Sequence, residues 1–195
     1  MTKTPVAVLI SGRGSNMQAL VAAAKDPAFP ADIRLVMANS AEAAGLDWAR
    51  AQGIEALSVP HKPFGRLRAA HEAVIDAVLR DRGIRLVCLA GYMRVLTPYL
   101  VGRWQGRMLN IHPSLLPAYP GLHTHERALA AGEAEAGCTV HLVTSGVDEG
   151  PILGQARVPI LSGDTPDTLA ARVLTQEHRL YPAMLAAHIR TLNAG

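Results

Sequence analysis

Five apolar runs mark the first 111 positions of the chain, at residues 6–10, 33–37, 54–59, 84–90 and 108–111. Each is short and almost continuous, the pattern of a strand covered on both faces. The stretches between them carry apolar residues at helical spacing. Residues 17–24 follow the first run. Residues 41–52 follow the second and end at Gly53, placed just after a helix C-cap. In residues 67–80 the predicted buried stripe is Ala70, Val74 and Val78 with Ile75 and Leu79, closed by Gly83. Thr97-Pro98 starts a short helix, with a cap residue followed by proline at the first helical position. Residues 60–64 are expected as loop. Strand and helix alternate throughout, which predicts an α/β, doubly wound, Rossmann-like and mostly parallel sheet with right-handed crossovers.

After Pro117 the pattern changes. A loop marked by proline and glycine spans 118–122, and 125–131 reads as a short helix. Apolar strands at 139–144 and 152–158 are separated only by Ser145, Gly146, Val147, Asp148, Glu149 and Gly150, so this portion of the sheet is expected to be antiparallel. Thr165 and Pro166 then open a long C-terminal helix. Its expected buried stripe is Leu169, Val173, Leu180 and Met184, and Pro182 is expected to bend it. With no repeat or linker in view, residues 1–195 are read as one domain.

Composition narrows the function classes. Hydrophobic residues make up 49% of 195, enough for one full core. The net charge is +3 with a pI near 9.1, and the arginines are scattered without an aromatic-rich stripe. That balance suits anionic small molecules and not nucleic acid. Cys88 and Cys138 lie beside or within apolar runs and make no CxxC spacing, which favours a reducing compartment and no zinc site. No stretch approaches ~20 consecutive apolar residues, so no membrane span is expected. A cytoplasmic protein is the expectation.

Candidate chemistry concentrates where the fifth run ends, in Asn110-Ile111-His112-Pro113-Ser114-Leu115-Leu116-Pro117. Strand alternation puts Asn110 and His112 on one side, at a strand end where open α/β sheets bind ligands. An amide and a protonated imidazole can both donate to one developing oxyanion, and the imidazole can exchange a proton. Asp148, between Gly146 and Gly150, is the candidate to orient that imidazole and favour its charged form. Its alternative is a plain turn aspartate. After the first run, Ser11-Gly12-Arg13-Gly14-Ser15-Asn16 leads into a helix and suits a single phosphate, although a strand-to-helix turn also asks for glycine. Glu177 interrupts an apolar stripe, so it either pairs with a ligand amine or a buried arginine, or lies at a surface edge. His123, His125 and His141 lack metal-ligand spacing and read as structural or pocket-wall residues. Ser114 lacks a nucleophile-elbow motif.

The segments Gly12 to Asn16, Gly91-Tyr92-Met93-Arg94, Asn110 to Pro117, Pro120 to His125, Asp148 to Pro151 and Thr175-Gln176-Glu177-His178 occur in an order that resembles the phosphoribosylglycinamide formyltransferase family, from about Val6 to Pro182. The strand-end segment alone resembles the wider folate formyltransferase superfamily. The resemblance implies transfer of a formyl group from 10-formyltetrahydrofolate, a cosubstrate and not a tightly bound cofactor, to the amine of glycinamide ribonucleotide in purine biosynthesis. It makes Asn110, His112 and Asp148 the catalytic trio. Gly14, Ser15 and Asn16 would hold the ribonucleotide phosphate, and Glu177 would face its glycinamide part. Arg68, Met93, Arg94, Val95, Leu96, Asn110, Thr144, Val147 and Asp148 would line the folate site. No metal is implied, and monomer and homodimer both stay open. Two positions depart from the family pattern. Arg13 stands where a small polar residue is common, and Leu174 where some members carry glutamine.

Three other functions fit parts of the same pattern. A methionyl-tRNA formyltransferase would add a basic C-terminal domain, and a formyltetrahydrofolate hydrolase would add an N-terminal regulatory one. A phosphosugar-binding module would bind ribonucleotide without transferring a formyl group.

Overall fold

The computed structural model describes residues 2–194. One seven-stranded mixed sheet runs in the order β3-β2-β1-β4-β5-β6-β7. Strands β1 (Thr4–Ile10), β2 (Ala31–Ala38), β3 (Glu55–Ser58), β4 (Leu86–Leu89) and β5 (Met108–His112) are parallel. Strands β6 (Glu135–Leu142) and β7 (Ile152–Pro159) are antiparallel to their neighbours.

The central strand shows why the apolar runs are continuous. Val6, Val8 and Ile10 of β1 pack under α1 (Ser15–Ala24), α2 (Ala44–Ala51) and α6 (Pro166–Ala194), through Met17, Leu46, Tyr181 and Leu185. Ala7 and Leu9 turn to the opposite face, against Ile75 and Leu79 of α3 (Arg68–Asp81) and Leu100 of α4 (Pro98–Arg103). With both faces covered, residues 6–10 of the strand are all apolar, and only its half-buried start carries a polar residue, Thr4. Around Cys138 and Val158, a third cluster joins β6 and β7 to Leu169 and Val173 of α6 and to Leu129 of α5 (Thr124–Ala130). Both cysteines are free and buried, and burial pushes their thiols up to about 12.

Several expectations need correction. The buried stripe of α3 is not Ala70, Val74 and Val78 with Ile75 and Leu79. It is His71, Glu72, Ile75, Asp76 and Leu79, with Ala70 and Val74 exposed. Three polar side chains are tolerated there because each has a partner. His71 Nε2 lies 2.7 Å from the Val59 carbonyl, Thr97 donates to Glu72, and Trp104 Nε1 donates to Asp76 at 3.0 Å. The expected loop at 60–64 contains a 3₁₀ turn, Lys62–Phe64.

Strand β6 begins at Glu135 and not at 139, since its glycine-bearing start still pairs with β7. A Cβ on Gly137 would collide with the Ala156 backbone, so closeness of the strands and not apolarity marks that end. In the second half of α6 the buried stripe is Tyr181, Leu185 and Ile189, with Leu180 and Met184 only half-buried. The helix runs on through Pro182, whose missing N–H leaves the His178 carbonyl without its usual helical donor.

Candidate active site

Helices leave β1 and β4 toward opposite faces of the sheet, so a crevice opens between the carboxyl ends of these neighbours. A cleft of about 310 Å³ lies there, lined by residues 11–16 after β1 and by Ala90, Gly91 and Met93 after β4. Gly14 caps α1 at φ 69°, a left-handed conformation that glycine adopts without strain. Among the described residues no side chain caps this helix, so first-turn N–H groups are left for a ligand, and the helix dipole adds positive potential. Arg13 is exposed at the rim and can add charge.

The cradle is fixed from behind by α2, where the Gly45 N–H donates to the Gly12 carbonyl at 3.1 Å. A Cβ on Gly45 would run into Ile10 and lie 2.9 Å from the Arg13 carbonyl. Gly45→Ala is therefore expected to cost about 1–3 kcal/mol of stability by overpacking and to weaken phosphate binding. Chemical denaturation and titration with a phosphate monoester check both effects.

Asn16 and Glu177 meet across the fold. The Asn16 amide donates to Glu177 Oε2 at 2.6 Å, and both side chains are buried. This hydrogen bond commits the Asn16 Nδ2 to the carboxylate, so the side chain ties the cradle to α6. Among the described residues, Asn16 Oδ1 has no hydrogen-bond partner. Burial raises the Glu177 carboxyl above its ordinary range, against the opposing pull of Asn16. An acid raised on folding gives stability at low pH that is lost as pH rises through its folded value. Glu177→Gln removes that loss while its amide oxygen still accepts from Asn16. The variant should be the more stable protein at pH 8 by about 1 kcal/mol or more, with the gap closing near pH 4. Thermal melts at the two pH values check this.

At the end of β5, Asn110 and His112 share the face of Met108, beyond the cover of α3 and α4. Across the antiparallel ladder, Asn110 faces His141 and His112 faces Thr139. His112 is 6% exposed. Its Nδ1 lies 3.3 Å from Asp148 Oδ2, and its Nε2 lies 2.9 Å from the Tyr119 carbonyl. Both partners are acceptors, so both nitrogens are satisfied only when each carries a proton.

Asp148 reaches His112 because the loop after β6 folds back over the strands. It sits at φ 55°, and its Oδ2 accepts the Gly121 N–H at 2.9 Å. Burial acts to raise its carboxyl. The contact with His141, the Gly121 N–H and the charge of His112 outweigh that, and the net shift is downward.

His141 belongs to this cluster, which residue spacing did not show. Its Nε2 is 3.3 Å from the Asn110 amide nitrogen and 3.6 Å from Asp148 Oδ1, while its Nδ1 is 2.9 Å from the Leu142 carbonyl. Protonated on Nδ1 alone, the ring accepts from Asn110 through Nε2; protonated on both nitrogens, it faces Asp148 through Nε2 instead. The strand register places His141 opposite Asn110, and only that register could have revealed it.

Ser114 serves the turn, its hydroxyl directed at the Ala118 and Tyr119 carbonyls at 2.7 and 3.1 Å. His123 is exposed and pairs with Glu126, and His125 is not buried. Among the described residues no group of three or more His, Cys, Asp or Glu side chains could hold a metal ion.

Of the residues expected on the folate side, Met93 and Val95 are 66% and 56% exposed. Arg94 is half-buried, Leu96 packs against the α3–α4 core, and Arg68 donates to the Val95 carbonyl at 3.1 Å. Thr144 and Val147 are exposed on the loop that carries Asp148.

The chain is similar to known proteins. The formyl transferase family model matches residues 4–185. Phosphoribosylglycinamide formyltransferase of Escherichia coli (strain K12) is 45% identical over 181 residues, covering 93% of this chain and 85% of that one. The trifunctional purine biosynthetic protein adenosine-3 of Drosophila melanogaster is 50% identical over 183 residues. The match covers 93% of this chain and only 14% of that protein, so the chain spans a small part of its trifunctional relatives. The crystal structure of phosphoribosylglycinamide formyltransferase from Brucella melitensis superposes with a TM-score of 0.92 at 54% identity, covering 96% of both chains. With a glycine-rich cradle at the sheet's switch point and an asparagine-histidine pair at the next strand end, the chain belongs to the formyl transferase family.

Proposed function

We propose that the chain transfers the formyl group of 10-formyltetrahydrofolate to the amine of glycinamide ribonucleotide. The observation that carries this reading is His112, set between Asp148 and a carbonyl beside Asn110, one strand from the anion cradle. Gly14, Ser15 and the α1 N-terminus hold the phosphate, and Glu177 receives the glycinamide end. Met93, Arg94, Val95, Leu96, Thr144, Val147 and Arg68 form the folate side. Reduced folate is a cosubstrate that leaves after each turnover.

The neutral amine attacks the formyl carbon, and the carbonyl electrons move to oxygen. Asn110 Nδ2 and His112 Nε2 donate to that oxygen, and His112 thereby exchanges the Tyr119 carbonyl for the substrate's. Asp148 holds the imidazole charged and oriented. Collapse breaks the bond to the folate nitrogen. The attacking nitrogen loses a proton and the folate nitrogen gains one, with His112 or water as carrier. The products are formylglycinamide ribonucleotide and tetrahydrofolate. Free buried thiols suit a reducing compartment such as the cytoplasm, and no helix among the described residues is long and apolar enough to cross a membrane.

A spectrophotometric assay with both substrates tests the proposal. Ribonucleotide-dependent release of tetrahydrofolate is the expected result. Folate consumption without ribonucleotide would point to hydrolysis, and binding without release would point to a carrier module.

A further inference from the structure

Glu72 is 2% exposed on α3, a placement a carboxylate takes only with partners. Both of its oxygens are spent on one residue. Oε1 accepts the Thr97 N–H at 2.8 Å and Oε2 accepts the Thr97 hydroxyl at 2.5 Å. Having given its proton to Glu72, the Thr97 hydroxyl accepts the Tyr99 N–H at 3.3 Å and caps α4. A carboxylate is not needed to hold α3 against α4, since apolar residues of similar volume serve stability as well.

The segment leading to Thr97 explains the choice. It is held at alternate residues. The Met93 N–H donates to Ser11 Oγ at 2.8 Å, Arg68 Nη1 donates to the Val95 carbonyl at 3.1 Å, and Thr97 is gripped by Glu72. The first two anchors are exposed, whereas the third joins the buried Glu72 to a half-buried Thr97. Tyr92 and Leu96 point into the α3–α4 core, while the side chains of Met93 and Val95 stand in water. Apolar side chains displayed on a backbone fixed at every second residue form a ligand wall that needs no ordering when the ligand arrives.

We propose that Glu72 is a positioning residue for the folate cosubstrate, acting through Thr97 to hold residues 93–97 in their receiving shape. This role rests on the folate reading of that segment. Glu72→Gln leaves one oxygen to accept and turns an amide donor toward a Thr97 donor. Thr97→Val removes the hydroxyl, and Thr97→Ser keeps both donors.

Steady-state kinetics with each substrate varied separately provide the test. Glu72→Gln and Thr97→Val should raise KM for 10-formyltetrahydrofolate about tenfold, with KM for the ribonucleotide and kcat moving less than about threefold. Thr97→Ser should restore the unsubstituted values. Equal rises in both KM values, the mark of a general loss of structure, would overturn the role. So would an unmoved folate KM in either Glu72→Gln or Thr97→Val, which also covers the case where one variant does not fold. The control is the unsubstituted protein. Its failure to transfer a formyl group overturns the function together with this role, whereas normal transfer beside an unmoved folate KM overturns the role alone.

Discussion

His112→Ala lowers kcat by an expected ~10²–10³, and Asn110→Ala does the same, because in the proposed reaction each removes one donor from the developing oxyanion. Neither change should unfold the protein. Ile111 and Leu109, which alternate with them, carry the packing of β5 against the α1–α6 face. The alanine at 112 also strands the Asp148 carboxylate without its imidazole, which adds to the loss in transition-state charge stabilisation. The split between constants is informative. Since the oxyanion is absent from the ground-state complex, kcat and kcat/KM should fall together, with the ribonucleotide KM unchanged. A variant that raised KM at constant kcat would show His112 acting in ground-state binding instead. Stopped-flow measurement of a single turnover, with circular dichroism to confirm folding, decides the matter.

Asp148→Asn is the second large effect, with an expected loss of ~10²–10⁴ in kcat. Asparagine tolerates the left-handed backbone at this position and can still accept the Gly121 N–H, so the loop keeps its course. What changes is the charge facing His112 Nδ1 and His141 Nε2. A neutral amide no longer favours a doubly protonated ring, and the Nε2 proton needed by the formyl oxygen is not secured.

The pH dependence follows from the downward shift of Asp148. A carboxyl lowered on folding contributes stability above its unfolded value, and this is lost as pH falls through the folded value. The unsubstituted protein should therefore exceed Asp148→Asn in stability at pH 7, and the two should converge below pH ~4. Paired urea unfolding curves at pH 7 and in acid measure it. Equal stabilities across the range would mean that the carboxylate's interactions with the two histidines contribute nothing in the folded state.

The parallel half of the sheet was legible from apolar runs because β1, β2, β4 and β5 are covered on both faces, and a continuous run has no other comfortable place. Asn110 and His112 were legible for the same reason, as the first polar residues to break such a run on a shared face. The polar face of α3 was not. His71, Glu72 and Asp76 look like solvent residues until Val59, Thr97 and Trp104 are brought to them by the fold. His141 depended on the β5–β6 register, and the contact between Asp148 and His112 on the reach of a back-folded loop. The residues offered Asp148 as the group that orients His112 and Glu177 as a partner for a ligand amine, and the resemblance chose these over a plain turn and a surface edge. The geometry adds that Asn16 and Glu177 are one unit.

That unit has a consequence for how activity is acquired as the chain folds. Asn16 and Glu177 are 161 residues apart, and the Tyr181 hydroxyl seats α6 at the Leu89 and Leu109 carbonyls, 92 and 72 residues away. Closing such separations is slow compared with growing local helices, so the last helix is expected to dock late. The cradle and the strand-end pair can then be in place while the molecule is still inert, and enzymatic competence should switch on in one late step.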